Sequence, residues 1–146
     1  MKEKLLTIFT VLLIGVLLVL LQSCKDDNVA PDDMEIFKDK IARTWKVKRV
    51  SVDEVDVTSA FKNMTITFNS DLSYKVANSV APIWPAGGSF EIIPASSGQY
   101  DIRRSDGVAM TTSSPTDSGI ILEFIYNKSS ARVTEVSGKY RFELGL

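Results

Sequence analysis

The stretch "MTITFNSDLSYKV", residues 64–76, decides how the rest of the chain is read. Met64, Ile66 and Phe68 alternate with Thr65 and Thr67; after a break, Leu72, Tyr74 and Val76 alternate with Ser73 and Lys75. A period of two places apolar side chains on one face and polar ones on the other, the mark of a half-buried strand. The break is Asn69-Ser70-Asp71, whose short polar side chains bond nearby main chain and so favour turns. The segment therefore predicts two antiparallel strands joined by a three-residue turn.

The same period extends in both directions. Upstream, Trp45 and Val47 alternate with Lys46 and Lys48, and the apolar parity then slips to Val50 and Val52, as a β-bulge produces. Before them Met34, Phe37 and Ile41 stand at helical spacing, and Asp32 or Asp33 is placed to cap a short helix running to about Arg43. Downstream, Phe90 with Ile92 and Tyr100 with Ile102 mark two more strands, and Asp106-Gly107 a tight hairpin into Val108 and Met110. Thr111 to Ser118 reads as a loop. Ile120, Leu122, Phe124 and Tyr126 share one face, with Ile121 and Ile125 opposite, so this strand is expected centrally or against the helix. Tyr140, Phe142 and Leu144 close the series. Seven to nine short strands behind one small helix make an all-β barrel or sandwich of antiparallel strands.

The chain has 146 residues, 17 basic and 18 acidic, for a net charge of −1. Without a basic block it lacks the means to neutralise phosphates, which argues against nucleic acid as a partner. Its start is different in kind. Met1 to Lys4 carry charge, and Leu5 to Leu21 carry none. That is a secretory signal, or else an anchor helix, which needs about 20 apolar residues. The only cysteine, Cys24, follows at once, and the chain has no histidine. One cysteine closes no intramolecular disulfide, and no group beside it would activate the thiol.

Leu21-Gln22-Ser23-Cys24 resembles the lipobox of bacterial lipoproteins. The resemblance implies cleavage after Ser23 and a diacylglycerol thioether on Cys24, with further acylation of the new amino group. Two or three chains hold a protein to a membrane where one does so only marginally. Lys25-Asp26-Asp27 resembles the short acidic export signal of Bacteroidota surface lipoproteins, which implies the outer face of the outer membrane. The alternatives are a charged, solvated tether and the periplasmic face. The domains expected are a signal peptide over 1–23, the lipidated cysteine and a polar tether over 24–33, and a barrel over 34–146.

Thr44-Trp45 opening the first strand, "MTITFNSDLSYKV" (64–76), "PIWPAGGSFEI" (82–92), "IRRSDGVAM" (102–110) and "GIILEFIY" (119–126) are together similar to the lipocalin-like domains of Bacteroidota lipoproteins. The similarity spans most of residues 41–146. It implies an antiparallel up-and-down β-barrel of about eight strands with a short N-terminal helix. Two positions depart from the pattern: Arg43 stands where such chains usually carry Gly, and Asp71-Leu72 where the turn commonly carries Asp-Gly.

For chemistry, the usual general bases, nucleophile pairs and zinc ligands are missing, so neither an enzyme nor a cofactor is expected. Carboxylate pairs remain, and a glycosidase needs two facing each other roughly 5–9 Å apart. Alternation instead directs Glu91, Asp101 and Glu123 to the solvent side. Asp53, Glu54 and Asp56 lack calcium-loop spacing and read as an exposed turn. The connection Ala77 to Gly88 is long for a β-domain, and it carries Trp84. That ring either lies at the barrel mouth, stacking on a sugar or closing over a lipid, or folds back to plug the barrel. Arg103 and Arg104 cannot both point inward; one is placed to supply an anion contact, and surface placement is the default for both. Candidate ligand contacts are Trp84, Tyr74, Tyr100, Arg103, Phe124 and Tyr140. The inward series Met64, Ile66, Phe68, Tyr74, Phe90, Tyr100, Phe124, Tyr140 and Phe142 is bulky enough to fill such a barrel. Two functions follow. One is a lipid-anchored, non-enzymatic binding or accessory module for a small hydrophobic molecule or glycan. The other is a structural or protein-partner-binding subunit of an outer-membrane assembly.

Overall fold

The computed structural model describes residues 32–127 and 137–146. The expectations for the signal peptide, Cys24 and Lys25-Asp26-Asp27 lie outside those residues. Helix α1 spans Asp33–Ile41 and buries Phe37 and Ile41. It ends two residues before the predicted Arg43, and Asp32 stands at its N-cap without a side-chain capping bond. The strands are β1 (Thr44–Val52), β2 (Val55–Asp56), β3 (Thr65–Phe68), β4 (Ser73–Ala77), β5 (Gly87–Pro94), β6 (Tyr100–Arg104), β7 (Ala109–Thr112), β8 (Gly119–Tyr126) and β9 (Gly138–Gly145). A 3-10 turn over Thr58–Phe61 links β2 to β3 and buries Phe61.

All the pairings are antiparallel: β1 pairs with β3, each strand from β3 to β8 pairs with the next, and β9 pairs back with β1. Eight strands thus close an up-and-down barrel, with β2 as a short extension folded onto the end of β1. Closure leaves no continuous open edge. The parity slip in β1 is a register shift between Val47 and Arg49 against β9. It lets Trp45 and Val50, five positions apart, both point inward, and both are fully buried.

Three expectations change. The first turn holds four residues, because Leu72 belongs to it and not to β4. Asn69 N–H donates to Ser73 O and Leu72 N–H to Asn69 O. Leu72 takes φ 63°, a left-handed conformation that a branched side chain rarely adopts and glycine adopts freely. Strand β7 runs through Thr112, so the loop after it begins at Ser113. Finally, β8 is covered on its inner face only. Ile121 is half-buried and Ile125 is 64 % exposed, while α1 packs against β5 and sets Phe37 5.3 Å from the Tyr100 ring on β6. In a closed barrel every strand turns its outer face to solvent, and one short helix shields only a small part of it.

The interior is filled by side chains. Phe61, Phe68, Tyr74, Trp84, Phe90, Phe124, Tyr140 and Phe142 are all buried. Their rings meet at centroid distances of 5.0 Å (Phe61–Phe142), 5.2 Å (Phe68–Phe90) and 5.7 Å (Phe124–Phe142). Eight strands enclose a space that side chains alone can occupy, and here the aromatics occupy it.

Candidate functional site

The barrel end opposite the helix is closed by the Ala77–Gly88 connection. This loop turns through a cis Ala81–Pro82 peptide and drops Trp84 into the barrel, 0 % exposed. Of the two placements the sequence allows, the folded-back one is observed. The indole lies edge-on to Tyr74, Phe124 and Phe142 at 6.0, 6.1 and 5.8 Å. Gly88 makes room beside it, since a Cβ there would lie 3.0 Å from the Tyr74 ring.

Beneath the indole sits a residue the candidate contacts omitted. Arg104 is 1 % exposed, with its guanidinium carbon 4.8 Å from the Trp84 ring centre and 5.9 Å from Phe124. It donates from Nε to Asp106 Oδ1 (3.1 Å), from Nη2 to Asp106 Oδ2 (2.6 Å) and from Nη1 to the Ile83 carbonyl (2.8 Å). A buried cation needs this kind of satisfaction, and the planar fork meets a carboxylate with two parallel bonds. Burial works against ionisation of Asp106, but the hydrogen bonds and charge of Arg104 outweigh it and hold the carboxyl below its ordinary value. Gly107, at φ 89°, turns the chain tightly enough for Asp106 to reach back. Strand parity was the available signal. Arg104 shares its face with Ile102, and opposite Phe90 in the ladder it must point inward.

Arg103 consequently points outward, half exposed, and pairs with Glu91 at 3.1 Å. Of the other candidate contacts, Tyr74, Phe124 and Tyr140 are buried in the aromatic cluster, and Tyr100 lies apart from them against α1. Burial raises the ionisation of Tyr74 and Tyr140 above the ordinary phenol value. The carboxylates stand outside, as alternation predicts. Arg141 donates to Glu123 at 2.6 Å with Lys139 at 3.6 Å from the same carboxylate, and this pairing lowers the pKa of Glu123. Asp101 accepts from Thr112 N–H at 3.3 Å. Among the described residues no group of three His, Cys, Asp or Glu is placed to hold a metal ion.

A notch of about 1040 Å³ opens in the wall beside the plug. Its floor and sides include Pro82, Pro85, Val108, Met110, Phe124 and Tyr126, and its rim carries Asp101, Asp106, Glu123 and Lys139. It exists because β7 changes neighbours along its length. Ala109 and Met110 pair with β6, whereas Thr111 and Thr112 pair with β8. The arrangement offers an apolar floor with a mainly acidic rim, which suits recognition better than bond-breaking chemistry. No protein-family model, no curated protein and no solved structure matches this chain.

Proposed function

We propose that this chain is a lipid-anchored lipoprotein of the cell envelope, probed by its surroundings at the notch and not through an enclosed cavity. In this reading Cys24 is the attachment point, the lipobox-like Leu21-Gln22-Ser23-Cys24 the processing site, and Lys25-Asp26-Asp27 an address to the outer face of the outer membrane. The domain resembles the lipocalin-like barrels of Bacteroidota lipoproteins in its motifs, and its role is that of a non-enzymatic binding or accessory module. The observation that carries the choice of site is the contrast between a barrel interior packed with aromatic rings and a wide notch beside it. The outward carboxylates, with Glu91 and Glu123 engaged in ion pairs, fit a solvated surface more readily than a hydrolytic pair.

Two experiments test this reading. Incorporation of a fatty-acid analogue is expected in the wild type and lost in Cys24→Ala; labelling that persists overturns the anchor. A polarity-sensitive apolar fluorophore is expected to brighten on the full-length chain in detergent micelles beyond its signal in protein-free micelles, and Ala109→Trp, which fills the notch from an exposed position, is expected to abolish that excess. Brightening that survives Ala109→Trp would place the ligand elsewhere and overturn the notch as the site.

A further inference from the structure

Strand β7 leaves two seams in the barrel wall, and they are finished differently. Toward the helix end, where the β6–β7 ladder stops at Ile102↔Met110, side chains bridge the gap. Thr112 N–H donates to Asp101 Oδ1 at 3.3 Å, and Thr112 Oγ1 to the Tyr100 carbonyl. At the mouth the β7–β8 ladder stops at Thr111↔Glu123. No corresponding bridge is made above it among the described residues, and the notch opens there.

The main-chain groups at this second seam have a fixed direction. Gly119 O accepts from Thr116 N–H, Ile121 O from Ser113 N–H, and Glu123 O from Thr111 Oγ1. Groups of alternate residues in a strand point to the same side, so the N–H and C=O of Ile125 point toward β7 as well. By the same alternation from Ser113 and Thr111, those of Ala109 point toward β8. One step past Met110 and Phe124, Ala109 and Ile125 are the next pair in register whose main-chain groups face across the seam, and both line the notch. The other edge of the β8–β9 hairpin is capped: Asp53 N–H donates to Lys139 O, and Lys139 N–H to Asp53 Oδ1, each at 3.0 Å. Proteins ordinarily blunt bare edges with charge, proline or a covering segment. Here the edge, unpaired among the described residues, carries the exposed Ile125.

We propose, building on the reading of the notch as the binding site, that its ligand is an extended polypeptide segment that adds as a strand between Ala109 and Ile125. Main-chain hydrogen bonds to the two edges hold it, and side-chain alternation selects it. Inward positions meet Val108, Met110 and Phe124, and outward ones meet the Asp101 carboxylate, which has no ion-pair partner among the described residues, whereas Glu123 is already paired with Lys139 and Arg141. The segment that fits therefore alternates apolar with basic residues.

The test measures amide hydrogen exchange on the full-length chain in detergent micelles, with a capped peptide of alternating valine and lysine as probe. Exchange at Ile125 and Ala109 is expected to slow at least tenfold. The same peptide N-methylated at every second residue is expected to give no protection, because it cannot donate to the edges. Ile125→Pro, which removes an N–H directed at the notch, is expected to weaken wild-type binding at least tenfold. Equal protection by the methylated peptides, or none by the parent, overturns strand addition. Protection that grows with protein concentration without peptide also overturns it, in favour of a second copy at the edge. If the fluorophore still reports the notch while the peptide protects neither amide, strand addition fails alone; failure of both removes the notch as the site.

Discussion

Trp45 and Trp84 are both fully buried, one at the end of the barrel where α1 enters and the other where β4 hands over to β5. Trp45 is secured locally: its Nε1 donates to Ile41 O, four residues away, at 3.0 Å. Trp84 is secured by residues distant in sequence, lying on Arg104, which Asp106 and the Ile83 carbonyl hold in place. Among the described residues its own Nε1 has no hydrogen-bond partner. One end is closed by a neighbourly hydrogen bond and the other by a long-range electrostatic stack. The buried charge thus belongs to the second end alone, and so does the notch, whose lining includes Pro82, Pro85 and Asp106.

The two ends differ most at Asp106. Asp106→Ala leaves the Arg104 cation buried with one carbonyl partner, a change that costs about 3–5 kcal/mol for a sealed pair. Because Asp106 is 37 % exposed, water replaces part of what is lost, so a chemical-denaturation loss of about 2–3 kcal/mol is expected. Arg104→Met, which removes the charge while keeping an apolar stem under Trp84, is expected to cost less than Asp106→Ala. The reverse order would mean that the pair is not the element closing this end.

The tryptophans themselves give the next contrast. Trp45→Phe leaves Ile41 O without its buried donor, whereas Trp84→Phe removes a donor that has no partner among the described residues. Trp45→Phe is therefore expected to be the more damaging by about 1 kcal/mol in thermal or denaturant unfolding. Equal costs would show that cavity formation governs both.

Asp106 titrates lower in the folded chain than its ordinary value of about 3.9. Its contribution to stability is thus fully present above that value and is lost as pH falls through the lower folded one. Unfolding measured from pH 6 down to pH 2 is expected to show a loss that Asp106→Asn flattens. The smallest effect belongs to Arg103→Ala. Its pair with Glu91 is exposed on both sides, so less than about 1 kcal/mol is expected, against a much larger response at the adjacent Arg104.

Much of this architecture is legible in the alternation of residues. The stretch 64–76 announces two strands, the parity slip after Val47 marks the bulge, and the bulky inward series foretells a filled interior. Leu72 shows where local reading misplaces a boundary. Its apolar character matches the strand pattern, yet the hydrogen bonds of the turn claim it. Arg104 shows a different loss: parity places it inward, but an expectation that arginines stay outside prevails until Asp106 is seen reaching back to neutralise it.

Periodicity and composition are properties of the chain alone, so they specify that strands form, which faces they bury and that no histidine or thiol pair stands ready for catalysis. The tertiary structure decided which strands meet, for how many residues, and where a ladder stops. Barrel closure decided that β7 leaves β8 at Thr111↔Glu123 and opens the notch. That handover depends on register across distant segments, and hydrogen-bond geometry settles it only when all eight strands are closed together.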